Sequence, residues 1–294
     1  MQSPVKVLVT GSNGQLGFEI RELAAAYPDL VFDFTDRSRL PVAEEESIAQ
    51  YFEEFQPDYC INCAAYTAVD RAEAPEEAAV AEKVNATAVA CLARACASGG
   101  TKLIHISTDY VFDGRATEPY KPSDATHPLS VYGATKRKGE LLAQEQTDAV
   151  IIRTAWVYSS FGKNFVKTMI RLMQERPAIN VVSDQYGAPT YARDLAKAII
   201  DIISGDSWLP GIYHYTNEGA ISWYDFAVKI RELTGSSCTI NAIPATAYPT
   251  PAKRPAYSVL DTATIKEAYK VDTPYWTSSL KECIEKLKQE KYFL

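Results

Sequence analysis

Tyr132 and Lys136 stand four residues apart in Tyr132-Gly133-Ala134-Thr135-Lys136, a spacing that brings two side chains to one face of a helix. An ammonium beside a phenol favours the phenolate and lowers a pKa that is otherwise about 10. The pair therefore reads as a general acid with its cation. Ser107-Thr108-Asp109 closes an apolar run and offers a hydroxyl that can hold a substrate oxygen while Tyr132 protonates it. Upstream, Gly11-Ser12-Asn13-Gly14-Gln15-Leu16-Gly17 spaces its glycines G-x-x-G-x-x-G between a strand-like run and a helical one. Glycines let the backbone approach an anion closely, and the N–H groups of the helix that follows would receive a pyrophosphate. Asp36, nineteen residues beyond Gly17, would accept the hydroxyls of an adenosine ribose, whereas Arg37 beside it would meet a 2′-phosphate. That pair leaves NADH and NADPH equally open.

These groups need elements to carry them. Val5 to Thr10 (VKVLVT), Val31 to Thr35, Tyr59 to Cys63, Lys102 to Ser107 and Ala149 to Thr154 have strand length and composition. Helical patterns lie between them at Leu16–Tyr27, Ser47–Phe55, Ala78–Ser98 and Tyr132–Ala143, the third closed by Gly99-Gly100. Strand–helix alternation of this kind predicts a parallel sheet covered on both faces. Its carboxyl edge, where Thr108 would emerge, faces the ligand crevice of such folds. Near residue 155 the rhythm changes, which predicts a smaller second lobe. Helices are expected there at Asn164–Glu175, at Arg193–Ile203, from a capping box at Ser222–Asp225 to Gly235, and at Ser278–Lys291. Pro244 to Pro255 reads as an ordered, turn-rich loop.

The chain has 294 residues, 47% hydrophobic and 23% charged, which excludes disordered and fibrous classes. Thirty basic residues against thirty-seven acidic give a net charge of −7 and argue against nucleic acid as a partner. No apolar run approaches the roughly 18–20 residues of a membrane span, and Met1-Gln2-Ser3-Pro4 opens without the features of a signal peptide. Six scattered cysteines read as reduced cytoplasmic thiols. Cys60 and Cys63 would point to opposite faces of a strand and make a poor metal pair, so no metal site is expected. His105, His127 and His214 are dispersed. His105 reads as a hydrogen-bonded core residue, and Asn85 as a local packing residue. Glu44-Glu45-Glu46 suits the positive end of a helix.

At these positions the sequence resembles the extended, nucleotide-sugar-acting branch of the short-chain dehydrogenase/reductase superfamily. Asn62-Cys63-Ala64-Ala65-Tyr66-Thr67-Ala68-Val69-Asp70 looks like that branch's third-strand motif. Val131-Tyr132-Gly133, Arg153-Thr154-Ala155-Trp156-Val157-Tyr158, Asn164 to Met169, Asp184 to Thr190 and Tyr248 to Pro255 extend the similarity, specifically to the dTDP-4-dehydrorhamnose reductase family, over essentially the whole chain. The resemblance implies a Rossmann-type doubly wound parallel sheet with a smaller C-terminal α/β substrate lobe. The lobes would span residues 1–155 and 156–294, some later segments returning to the first. It further implies reduction of the C4 ketone of dTDP-4-dehydro-L-rhamnose to dTDP-L-rhamnose in the cytoplasm. Tyr132 would act as the acid and Lys136 as the ribose-holding cation. Thr108 would hold the carbonyl, with Asp109, Trp156 and Arg254 also at the substrate. Gly11, Asn13, Gly14, Gln15, Leu16, Gly17, Asp36, Arg37, Ala64, Ala65 and Tyr66 would line the NADPH or NADH site. A homodimer and a magnesium ion fall within the same implication, though the sequence presents no dedicated magnesium ligands. One departure is Leu40-Pro41-Val42-Ala43, where the family carries an L-D-type segment near the adenine.

Other activities of the branch are tested by the same residues. Its dehydratases follow the Thr with an Asp-Glu pair, and here Tyr110 stands where the second acid would be. An epimerase would bind the same cofactor without consuming it. A non-catalytic, dinucleotide-binding regulatory subunit would have no need to keep Thr108, Tyr132 and Lys136 together.

Overall fold

The computed structural model describes residues 4–293, so Met1 to Ser3, the start of the segment read for a signal peptide, lie outside the described residues. Five strands follow the predicted alternation: β1 (Val5–Thr10), β2 (Leu30–Phe34), β3 (Tyr59–Asn62), β4 (Lys102–Thr108) and β5 (Val150–Thr154). Helices α1 (Gln15–Ala24), α2 (Glu45–Phe55), α3 (Pro75–Glu82), α4 (Ala88–Gly99) and α5 (Val131–Gln146) connect them. The second half supplies β6 (Val157–Tyr158), α6 (Phe165–Glu175), β7 (Ala178–Val182), β8 (Tyr186–Gly187), β9 (Thr190–Tyr191) and α7 (Ala192–Ser204). It continues with β10 (Gly211–His214), β11 (Ile221–Ser222), α8 (Trp223–Thr234), β12 (Thr239–Ile243), α9 (Ala263–Tyr269) and α10 (Trp276–Gln289).

The main sheet is parallel throughout, in the order β10-β5-β4-β3-β1-β2. From β1 the chain moves to β2 on one side and then to β3 on the other. This reversal of strand order opens a crevice at the carboxyl ends of β1 and β3, beside the glycine loop. Strands β3 and β5 are buried along their whole length, as strands sandwiched between helices must be. One face packs Val7, Val9, Ile61 and Ile152 against Ile20 of α1 and Leu195, Ile199 and Ile203 of α7. The other packs Leu8, Cys60 and Leu103 against Ile48 and Phe52 of α2 and Leu92 and Cys96 of α4. A separate core in the second lobe joins α6, α8 and α10 through Met169, Ile170, Phe226, Ile230, Leu280 and Ile284.

Two local features differ from the sequence reading: one expectation needs correction and one strand was not foreseen. The stretch Ala78–Ser98 is not one helix: a π-helical turn at Lys83–Thr87 separates α3 from α4. Apolar periodicity does not register one extra residue in a turn, and such turns collect at functional sites. The second is β10. The run GIYH is short, begins with glycine and lies far from the first five strands, yet it pairs with β5 from Gly211↔Val150 to His214↔Arg153. The capping box at Ser222 and Asp225 forms as expected, and α8 ends at Gly235 in the left-handed region (φ 70°).

Candidate active site

The glycine loop leaves β1 in a conformation only glycine tolerates well. Gly11 has φ +63°, and a Cβ there would lie 2.6 Å from the backbone N of Ala64. A Cβ on Gly17 would lie 2.5 Å from Ser12 Cα. Gly14 caps α1 without a side-chain hydrogen bond, so the first-turn amides keep their hydrogen-bonding capacity for an anion. These features fit a dinucleotide pyrophosphate. The cleft above the loop has a volume of about 1610 Å³ and is lined by Gly11, Asn13, Gly14, Gln15, Leu16, Gly17, Asp36, Arg37, Ala64, Ala65 and Tyr66. Thr108, Asp109, Tyr132, Lys136 and Trp156 line the same cleft. Leu40, Pro41, Val42 and Ala43 also line it, so the segment that departs from the family pattern still borders the cleft.

Asp36 is committed to its own loop. Oδ2 accepts from Asn13 Nδ2 (2.7 Å), and Oδ1 accepts from the Ser38 hydroxyl (2.6 Å), Ser38 N (2.9 Å) and Arg39 N (3.2 Å). The Ser38 hydroxyl, foremost among these donors, holds the exposed carboxylate below its ordinary range. Arg37 borders the cleft beside it.

Tyr132 enters on the first turn of α5, whose N-cap Ser130 accepts from Gly133 N at 3.2 Å. Gly133 lets this turn settle on β4's exit, since a Cβ there would sit 2.2 Å from the Tyr110 carbonyl oxygen. The Tyr132 ring meets Tyr110 edge-on, with centroids 5.6 Å apart. Thr108 Oγ1 donates to Asp109 Oδ1 (3.0 Å) and accepts from Tyr110 N (3.2 Å). Asp109 is 1% exposed, and burial pushes its carboxyl up to about 6. Ser258 lies close enough to oppose that rise, but Oδ2 has no hydrogen-bond partner.

The amine–phenol relation differs from the one expected from spacing. Lys136 Nζ donates to the Ile106 carbonyl at 2.6 Å. Burial, only partly offset by Thr108, pushes Tyr132 up to about 12, so it is a neutral phenol at physiological pH. The same burial pulls Lys136 down to about 8, opposed by Glu140 and Cys63. The cation is retained at neutral pH, but it does not acidify the phenol in this arrangement.

Supporting residues stand behind these groups, and of them Glu140 and Gly139 escaped the motif reading. Glu140, one turn after Lys136, is wholly buried and accepts from Ser107 Oγ (2.5 Å), from Arg153 Nε (2.8 Å) and Nη2 (2.7 Å), and from Arg137 (2.7 Å). Its position four residues after Lys136 was the available signal. Asn85, on the π turn, accepts from Tyr66 N (2.8 Å) and donates to Tyr66 O (3.1 Å) and Thr135 Oγ1 (3.2 Å). Its amide is spent on fixing the Tyr66 loop. Gly139 permits the close packing behind it, since a Cβ there would lie 2.1 Å from Asn85 O. His105 is buried, contacts Asn62 Nδ2 through Nδ1 (3.0 Å), and is held neutral by burial. Arg254 is not brought into the cleft lining: it pairs with both oxygens of Asp70 (3.0 and 2.7 Å).

Among the described residues no group of three or more His, Cys, Asp or Glu side chains is placed to hold a metal. Glu19, a buried acid on α1, faces Ser159 (2.6 Å), Arg193 (3.4 Å) and Lys286 (3.9 Å), so its carboxylate is already met by cations. All six cysteines are free. Among the described residues no helix is long and apolar enough to cross a membrane.

Comparison with known proteins supplies the rest. The family model described as the RmlD substrate binding domain matches residues 5–289. A dTDP-4-dehydrorhamnose reductase of Aggregatibacter actinomycetemcomitans is 40% identical over 290 residues, covering 94% of this chain and 97% of the relative. The crystal structure of a dTDP-4-dehydrorhamnose reductase from Clostridium acetobutylicum superposes with a TM-score of 0.92 at 42% identity, covering 97% of this chain and 100% of that protein. The Bacillus anthracis reductase, solved in complex with NADP, gives 0.91 at 35% identity, covering 96% and 99%.

Proposed function

This chain belongs to the RmlD substrate binding domain family, and on that premise we propose that it is an NADPH-dependent reductase converting dTDP-4-dehydro-L-rhamnose to dTDP-L-rhamnose. The observation that carries the proposal is one cleft bordered by the glycine loop at one end and by Thr108, Asp109, Tyr132 and Lys136 at the other. When bound, NADPH supplies a hydride for the C4 carbonyl carbon. The protein's part is to hold the sugar and deliver a proton. Tyr132 stays protonated at neutral pH because burial holds it near about 12, so its hydroxyl is ready to protonate the oxygen at C4 as negative charge develops there. The Thr108 hydroxyl shares the site and can hold that oxygen by turning its one proton from Asp109 Oδ1 to it. Lys136, still cationic at pH 7 and lining the same cleft, is the group that would hold the cofactor's ribose. Asp109, with one unpartnered oxygen, suits a sugar hydroxyl.

NADPH rather than NADH is favoured by the Asp36 loop. A carboxylate already accepting from Asn13, Ser38 and Arg39 has little left to offer a ribose, while Arg37 beside it suits a 2′-phosphate. Residues 156–294, apart from the segments that rejoin the main sheet, would form the sugar-holding lobe. A cytoplasmic setting is in keeping with six unpaired thiols. The test is loss of NADPH absorbance on addition of the dTDP-keto-sugar. Stoichiometric oxidation is expected and its absence would defeat the proposal. Tyr132→Phe should lower turnover by about 10²–10⁴-fold with NADPH binding intact, and unchanged turnover would remove Tyr132 from the chemistry.

A further inference from the structure

We propose that Trp223 is a positioning residue for the sugar pocket, acting with Gly187 to clamp the indole of Trp156 as that pocket's wall. The proposal deepens the nucleotide-sugar reading above and rests on it.

Strand register delivers Trp156 to the site. Thr108 lies beside Thr154 across β4 and β5, so Trp156 emerges two residues beyond, roughly 7 Å further along the strand direction. It borders the cleft that Thr108 and Tyr132 line. Its backbone is in the left-handed region, with φ 48°. A bulky residue avoids that state unless its surroundings over-determine it. Here they do. Trp156 and Trp223 are stacked, ring centroids 3.5 Å apart and planes within 10°. Gly187 leaves just enough room for the indole, because a Cβ there would come within 2.6 Å of Trp156 Cε2. The Trp156 carbonyl accepts from Thr190 N at 3.3 Å.

Trp223 is itself braced. It is the first residue of α8, inside the Ser222–Asp225 capping box and directly after the N-cap Ser222. Phe165 of α6 packs on it at 4.6 Å between centroids and continues to Phe226 at 5.4 Å. The stack thus runs from the second lobe's core to the cleft wall, while Trp223 stands behind that wall. A deoxysugar presents C–H groups and a methyl as well as hydroxyls, and an immobile aromatic wall meets these by dispersion without losing side-chain entropy on binding.

The experiment compares Trp223→Ala, Trp223→Phe, Gly187→Ala and Trp156→Leu in the full-length protein. Its readouts are the exciton couplet of stacked indoles in far-ultraviolet circular dichroism, KM and kcat for the dTDP-keto-sugar, and the NADPH dissociation constant. Trp223→Ala should abolish the couplet and raise KM about three- to tenfold, the loss a displaced aromatic contact gives, with kcat and NADPH affinity within about twofold. Trp223→Phe should also lack the couplet yet return KM to within about twofold of the parent, because a stacked ring remains. Gly187→Ala, which keeps Trp223, should raise KM from the other jaw, and it gives the answer even where Trp223→Ala fails to fold. A parental KM in Trp223→Ala without the couplet, or in Gly187→Ala, would overturn the positioning role. A parental KM in Trp156→Leu would instead show that the indole does not wall the sugar site.

Discussion

Replacing Asp109 by Asn removes a buried negative charge while preserving the side chain's shape. The carboxyl is 1% exposed, Thr108 hydrogen-bonds one oxygen and nothing hydrogen-bonds the other. Burial, its largest influence, carries it from an ordinary 3.8 to about 6. At about 1.4 kcal/mol per pH unit, holding that charge at neutral pH costs the folded state roughly 3 kcal/mol. The amide nitrogen of Asn would meet the same lack of a partner, a cost on the order of 1 kcal/mol. A net gain of about 2 kcal/mol remains, or a Tm higher by about 5 °C at pH 7.5. The sign follows from proton uptake. Because the folded pKa is raised, the charge penalty is present above about 6 and disappears as pH falls from there towards 4, where the folded chain binds the proton before the unfolded chain does. Thermal unfolding of both proteins at pH 7.5 and pH 4.5 checks this. The variant should be more stable at the higher pH and nearly level at the lower, while its KM for the keto-sugar rises. Equal stability at pH 7.5, or a gap that widens in acid, would refute the reasoning.

Turnover should fall on the alkaline side with an apparent pKa near 8, as Lys136 loses its proton; a flat profile to pH 10 would show that the cation is dispensable. Arg37→Ala should raise the NADPH dissociation constant by about tenfold, the worth of one charge-assisted contact, and leave NADH almost unchanged; equal losses for both would place the guanidinium elsewhere. Gly139→Ala forces a Cβ to within 2.1 Å of Asn85 O and should destabilise the fold by about 3 kcal/mol, read as a lower denaturant midpoint.

Local chemistry was legible in the sequence wherever it was written in neighbouring residues. The glycine loop, the Tyr132–Lys136 spacing, strands β1 to β5 and the Ser222 capping box are patterns spanning a few positions, and the structure contains each of them. What escaped depends on distant partners. Arg254 reads as a substrate contact, and sequence gives no sign that Asp70, 184 residues away, holds both its terminal nitrogens. Asp36 reads as a ribose acceptor, and folding also brings Asn13, twenty-three residues away, onto one of its oxygens. Trp223 has no local mark at all, since its stack on Trp156 is made by folding. The phenol's elevation has the same origin: spacing brings an amine near it, but burial decides its proton affinity.

The sixth strand of the main sheet has a consequence for recombination. Because β10 lies against β5, and α7 covers the same sheet beside α1, the chain crosses from one lobe to the other more than once. A chimaera joined at a single junction after residue 155 would therefore take its last strand and a covering helix from a foreign parent. Exchange of the second half between relatives would have to be made in separate segments, leaving 192–214 with the parent that supplies β1 to β5.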